Sequence, residues 1–223
     1  MSDKARTRNA EDSVSELTTG RLSVYRRCLD ALEAAGVKTI SSNGLAERFH
    51  LNAAQIRKDL ANFGEFGVRG VGYYVSDLRR HLRQILGVDR HIRVVIVGAG
   101  NLGLALADYP GFGKDGFEIV ALFDVSPDKV GLESRRGITI RHISELADTV
   151  RRSLVEIAVI AVPAPEAQPV VDQVVSAGVK AILNFAPGAV RVPSRVKLKS
   201  VDVTLSLESL SFFLAKGPHG QTK

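Results

Sequence analysis

Cysteine is nearly missing from this chain. Cys28 is the only one among 223 residues. That excludes an internal disulfide and any cluster of thiolates around a metal, and it fits a reducing, cytoplasmic setting. Cys28 sits among Tyr25, Leu29 and Leu32, so it reads as a buried packing residue rather than a reactive thiol. No apolar stretch reaches the ~20 residues of a membrane span. The first residues have no apolar core, so they do not read as a secretory signal. Tryptophan is absent, and the net charge is only +6. The excess leans toward residues 1–91, which carry +4 of it. That lean permits an anionic partner such as nucleic acid without requiring one.

What the chain does have is a glycine loop in a telling context. The apolar run Ile92 to Val97 leads into Gly98, Ala99, Gly100, Asn101, Leu102 and Gly103, and then into Leu104, Ala105, Leu106 and Ala107. This pattern predicts a buried parallel strand, a G-x-G-x-x-G turn and a helix start. Gly98 would permit the tight turn, Gly100 the close approach of a pyrophosphate, and Gly103 the close packing of helix on strand. Free N–H groups and the helix dipole would favour the phosphates. A second run, Ile119 to Phe123, ends at Asp124, at the spacing where a carboxylate accepts bonds from the adenosine ribose. A carboxylate there repels a 2′-phosphate, which favours NAD over NADP. Pro127 to Lys129 should begin a short helix behind it, with Lys129 near the adenosine.

Later runs complete an α/β sheet. Strands are expected at Ile138 to Ile140, Ile157 to Val162, Ala181 to Leu183 and Val201 to Leu205, with helices between them. Pro163-Ala164-Pro165 and Asn184-Phe185-Ala186-Pro187 fall at carboxyl ends of strands, where dinucleotides lie. Pro163, Ala164, Asn184 and Phe185 are therefore candidate cofactor walls, Phe185 with the alternative of simple core packing. A last helix, about Leu207 to Leu214, carries Leu207, Leu210, Phe213 and Leu214.

The N-terminal part is different. Residues 1 to 18 read as a flexible arm. Leu22, Tyr25, Leu29 and Leu32 mark a helix that Gly36 stops. Ser41-Ser42-Asn43-Gly44 starts a second, His50-Leu51-Asn52 makes a turn, and Asn52 can cap a third, Ala53 to about Phe63. The third buries Ile56, Leu60 and Phe63, and puts Gln55, Arg57, Lys58 and Asn62 on other faces. Two short helices, the second with a polar and basic face, describe a helix-turn-helix. Its side chains suit base edges and phosphates. Gly64 to Val75 alternates glycine with apolar residues, like a β-hairpin wing with Arg69 near its tip. Ser76 should cap a further helix, lined by Arg79, Arg80 and Arg83, that leads to the sheet. The candidate DNA contacts are Ser42, Asn52, Gln55, Arg57, Lys58, Asn62, Phe66 and Arg69.

Three stretches resemble the bacterial redox-sensing repressors of the Rex family. They are Ile56-Arg57-Lys58-Asp59-Leu60, Phe63-Gly64-Glu65-Phe66-Gly67 and Arg69-Gly70-Val71-Gly72-Tyr73. The glycine loop as VGAGNLGLALADYPGF, the later ILNFAP, and Val201-Asp202 extend the likeness from about Arg21 to Leu214. Ala61-Asn62 departs from it, since the family commonly has Ser-Tyr there. The resemblance implies a winged-helix head (19–88) on a Rossmann body (89–205), then a dimerisation helix (206–216) that crosses to a partner, and a tail (217–223). It also implies a homodimer that binds operator DNA when NADH is scarce and lets go when NADH binds. Arg27, Tyr109 and Asp202 are the implied switch residues, with Tyr109 also at the cofactor.

A small NAD-dependent dehydrogenase is the rival reading. Hydride transfer needs an acid or base at the nicotinamide. His50 and His81 lie in the head, His91 at the amino end of a strand, His142 on a connection and His219 in the tail, and no Tyr-x-x-x-Lys pair is present. A Rossmann module for another adenine nucleotide is a third reading. No metal and no membrane are expected.

Overall fold

The computed structural model describes residues 15–216. Most of the expected arm, and the tail with His219, lie outside the described residues. The chain divides into two compact units, 1–90 and 91–223.

The first unit is helical. α1 (Glu16–Ala34) begins earlier than expected, because Ser15 Oγ accepts from the Thr18 N–H at 3.2 Å and caps it. α2 (Ser42–Phe49) is capped by Ser41 and ends at His50 in the left-handed conformation. α3 (Ala53–Ala61) is capped by Asn52, whose Oδ1 accepts from the Gln55 N–H at 2.9 Å. α4 (Val75–Ile85) follows Tyr74, so Ser76 is inside the helix and does not cap it. Leu22, Leu29, Leu32, Leu45, Ile56, Leu78 and Leu82 form the core. Cys28 is buried there. Arg79 pairs with Asp30 and Glu33 of α1, so it ties the head's own helices together rather than a junction.

The expected hairpin wing is smaller than its sequence suggests. Val68 and Gly72 close a tight turn by a single antiparallel bridge, with Arg69 and Gly70 at its tip. The apolar residues after it pair elsewhere. β1 (Thr39–Ile40) and β2 (Tyr73–Tyr74) form a two-stranded antiparallel sheet. Gly72 is required where they meet: its φ is +91°, and a Cβ would lie 2.6 Å from the Ile40 carbonyl oxygen.

The second unit is one sheet of six parallel strands with helices in the connections. The strands are β3 (Ile92–Val97), β4 (Phe117–Asp124), β5 (Ile140–His142), β6 (Ile157–Ile160), β7 (Ala181–Asn184) and β8 (Lys197–Ser200), in the order β5-β4-β3-β6-β7-β8. Numbered within the unit this is 3-2-1-4-5-6, the doubly wound order, with its reversal between β3 and β6. The helices are α5 (Asn101–Ala107), α6 (Pro110–Lys114), α7 (Leu146–Arg152), α8 (Ala164–Ser176) and α9 (Val203–Lys216). Val95, Val97, Phe123, Ala158, Ile160, Val171, Val174 and Ile182 lead the core. Several boundaries differ from expectation: β5 runs two residues later than Ile138 to Ile140, and β6 ends at Ile160 rather than Val162. Residues 127–131 make a turn rather than a helix. The sixth strand is Lys197–Ser200, the stretch in register with Ala181–Asn184 of β7, while Val203 to Leu205 are helical. The last helix starts four residues before Leu207, at Val203.

Candidate functional site

The switch point between β3 and β6 opens into a cavity of about 430 Å³. Gly98, Gly100, Asp124, Lys129, Val162 and Pro163 are among the residues that line it. Each loop glycine answers to a separate constraint. Gly98 has φ +102°, and a Cβ would sit 2.3 Å from the Ala161 carbonyl oxygen. A Cβ on Gly103 would sit 1.8 Å from the Gly98 carbonyl oxygen, so α5 can pack on the turn only with glycine there. A Cβ on Gly100 would meet nothing within 4 Å, so this glycine leaves its stretch of the cavity wall open. Ala99 is buried, while Asn101 and Leu102 open α5 on the exposed side. First-turn N–H groups have no partner inside a helix. The residues therefore fit a pyrophosphate.

Asp124 ends β4 beside this loop. Its Oδ2 accepts from the Ala99 N–H at 2.9 Å and from Lys129 Nζ at 3.0 Å, and its Oδ1 accepts from the Ser126 N–H at 2.9 Å. Burial pushes the carboxyl pKa up, but the bonds from Ser126, Lys129 and Ala99 outweigh it and hold the group below its ordinary value. Lys129 reaches it from a turn, not from the expected helix.

Pro163 and Ala164 stand exposed where β6 passes into α8. Asn184 is fully buried: its Nδ2 donates to the Ala186 carbonyl at 3.0 Å and its Oδ1 accepts from the Ala186 N–H at 3.1 Å. It shapes the loop after β7 rather than presenting an amide to a ligand. Phe185, half-buried, follows it. Tyr109 is exposed, and its ring folds over Gly111, where a Cβ would lie 2.3 Å from it. Asp202 Oδ1 accepts from the N–H groups of Thr204 and Leu205 at 2.9 and 3.3 Å, so it caps α9. His142 ends β5, at a carboxyl edge rather than on a connection, and its Nδ1 bonds Ser144 Oγ at 2.8 Å. That edge strand neighbours β4 and its Asp124, on the adenosine side of the fingerprint.

In the head, the outward residues of α3 sort into two groups. Arg57, Lys58, Asn62 and the turn-tip Arg69 are exposed. Arg57 Nη1 donates to Ser42 Oγ at 2.7 Å, so α2 and α3 present these two together. Asn52 is exposed but engaged as the cap. Gln55 and Phe66 are half-buried, and each has a partner within the head. Gln55 Nε2 donates to Asp59 Oδ1 at 2.7 Å, so its amide donor faces the protein. Phe66 packs on the head core, with its ring 5.2 Å from that of His81.

Asp59 is the residue that sequence reasoning missed. It is 1% exposed and takes Arg21 Nε at 2.6 Å, Arg21 Nη2 at 2.7 Å and the Tyr25 hydroxyl at 2.9 Å. Arg21 foremost holds its pKa down. Burial foremost, with the bond to Asp59, pushes Tyr25 up to about 12. An acid among the polar residues of an amphipathic helix gave no signal for this, because Arg21 and Tyr25 lie on a distant helix. Among the described residues no group of three or more His, Cys, Asp or Glu is placed to hold a metal ion, and no helix is long and apolar enough to cross a membrane.

Residues 89–188 match the family model described as CoA binding domain, and residues 13–61 match the one described as putative DNA-binding protein N-terminus. The redox-sensing transcriptional repressor Rex of Desulfitobacterium hafniense is 47% identical over 89% of this chain and 94% of its own length. That of Carboxydothermus hydrogenoformans is 48% identical, covering 89% and 95%. Among solved structures, RSP in complex with β-NAD+ and operator DNA is similar with a TM-score of 0.87 at 40% identity, covering 91% of this chain and 93% of that one. RSP in complex with β-NADH gives 0.81 at 38% identity, covering 92% and 95%.

Proposed function

The chain belongs to the Rex family of redox-sensing transcriptional repressors, and from that premise we propose that NADH taken up by its sheet unit releases its head from operator DNA. It is a regulator and not an enzyme, as its relatives are. One observation carries the reading. A single chain joins the Gly98–Gly103 cradle, backed by Asp124, to a helix-turn-helix that presents Arg57 and Lys58 outward.

The residues divide the work. Gly98, Ala99, Gly100, Asn101, Leu102 and Gly103 receive the pyrophosphate. Asp124 and Lys129 face the adenosine ribose. Pro163 and Ala164, with Phe185 after the loop that Asn184 shapes, wall the nicotinamide end. The coenzyme supplies a ring that is neutral when reduced and cationic when oxidised. Apolar walls there favour the neutral form, because an unpaired buried cation is costly. Preference becomes a signal only if the two head arrangements bind NADH unequally. We assign that coupling to Asp202, which exchanges Arg27 for Tyr109. That assignment follows the family resemblance; in this structure Asp202 Oδ1 caps α9.

α9 supports a homodimer. Its Val203, Leu205, Leu207, Leu210, Phe212, Phe213 and Leu214 are between 53% and 82% exposed. The helix is therefore not packed on its own body. Covering each such side chain is worth ~1.5–3 kcal/mol, and a second copy of the chain is the occupant that also matches a two-fold operator. Leu210→Glu with Phe213→Glu should yield a monomer by light scattering and abolish specific DNA binding. The buried Cys28 is at home in a reducing cytoplasm.

The deciding experiment is a gel shift on DNA upstream of the protein's own or respiratory genes, with and without NADH. Release by NADH, and not by coenzyme A, is expected. Binding that ignores NADH would overturn the reading. Asp202→Ala should keep NADH affinity within about threefold yet fail to release DNA. Normal release in that variant would remove Asp202 from the switch.

A further inference from the structure

A lone carboxylate at Asp124 would favour NAD over NADP by repelling a 2′-phosphate. Asp124 is not a lone charge: Lys129 Nζ lies 3.0 Å from its Oδ2, and the pair sums to zero. Both its oxygens already accept bonds, from Ala99, Ser126 and Lys129. The Asp124 side chain is only 10% exposed, whereas Lys129 is 41% exposed. Both line the same cavity. An ammonium group at the rim of a ribose site is the group a phosphate dianion seeks. Here the carboxylate occupies it.

We propose that Lys129 is a latent 2′-phosphate acceptor, and that Asp124 sets coenzyme choice chiefly by holding Lys129. The proposal rests on the dinucleotide reading above. It departs from the simple repulsion account in the double variant. If repulsion alone selects, Lys129 merely weakens it. Removing Lys129 would then leave Asp124 unpaired and sharpen rejection of NADPH. If Lys129 is an acceptor, removing Asp124 frees it, and NADPH gains through Lys129 specifically. The acceptor account thus requires that any NADPH gained on losing Asp124 disappear when Lys129 is lost too. Asp124→Asn is the apt substitution, because its remaining carbonyl oxygen can still accept from a backbone N–H.

The test titrates NADH and NADPH into wild type, Asp124→Asn, Lys129→Ala and the double variant, reading coenzyme fluorescence. The chain has no tryptophan to confound that signal. Asp124→Asn should bind NADPH at least tenfold more tightly than wild type. The double variant should lose at least three-quarters of that gain. Added salt should weaken NADPH more than NADH in Asp124→Asn, since the new contact is ionic. No NADPH gain in a folded Asp124→Asn, or a gain that survives in the double variant, overturns the role of Lys129. Should Asp124→Asn fail to fold, a second substitution at Asp124 decides. There the discriminating comparison moves to Asp124→Ser with and without Lys129→Ala, and an NADPH gain in Asp124→Ser that survives the loss of Lys129 overturns the proposal. A wild-type protein that gives no NADH signal refutes the dinucleotide reading itself, which is a different result from NADH bound without an NADPH gain.

Discussion

The two units solve the same packing problem with different chemistry. The body fills its core with aliphatic side chains, and the buried polar residues described there are Ser134, Thr149 and Asn184, none of them charged. The head buries Asp59 and Arg26 within a smaller helical cluster. Asp59 joins α3 to α1 through Arg21 and Tyr25. Aliphatic contacts are non-directional and tolerate sliding. A buried carboxylate with four bonds does not, because each lost partner leaves a desolvated charge. The unit that must present α3 in one orientation uses the directional device. The unit that must bind a coenzyme puts its directional chemistry in the loops instead.

The largest effect should break the body alone. Gly103→Val drives a side chain into the Gly98 carbonyl, where even a Cβ lies at 1.8 Å. NADH affinity should fall more than about 100-fold, which costs more than ~2.7 kcal/mol; fluorescence titration checks it. Next comes the head's outward face. Arg57→Ala should weaken operator binding by roughly 10- to 100-fold, in line with ~1–3 kcal/mol for a base contact, with NADH affinity held within twofold. Lys58→Ala should weaken all DNA more evenly and reduce the salt slope by about 1. Gln55→Ala sharpens the contrast. It removes a bond to a charged group, worth ~1.5–3 kcal/mol, so urea unfolding of the head should shift while the preferred base sequence does not. A change of base preference would return Gln55 to the reading surface.

The smallest effect is in pH. Tyr25 in the folded head is raised to about 12. The stability it contributes is whole below its ordinary value near 10 and is lost as pH rises toward 12. Tyr73, raised by burial, is also in the head. Alkali should therefore loosen the head before the body, seen as earlier loss of protection in hydrogen exchange. In acid the order is lost. Asp59 and Asp124 are both held below the ordinary value, so both contributions are present above that range and fade as pH falls through it.

Much of the site was legible in residue order. Gly98, Gly100 and Gly103 are local requirements of one turn, and Asp124 follows at a set spacing, so four residues announce the cradle. Asn52 announced its cap in the same way. The partners of Gln55, Phe66 and Asn184 were not legible, because a polar or aromatic residue on a helix or loop shows its type and not its direction. Gln55 turns inward because Asp59 is there, and Phe66 because His81 is. β1 was illegible: two residues pair with Tyr73 and Tyr74, more than thirty positions away. α9 was read too short, because Val203 and Thr204 belong to a helix that the Asp202 cap opens.

Sequence alone determined the two-part plan, the glycine turn with its acid, and the helix-turn-helix, since each is set by short-range sterics, capping and hydrophobic period. Tertiary structure decided which polar groups face inward, that Asp124 comes paired with Lys129, and that α9 stands uncovered. Those outcomes depend on where distant chain segments meet, and local periodicity carries no record of such meetings.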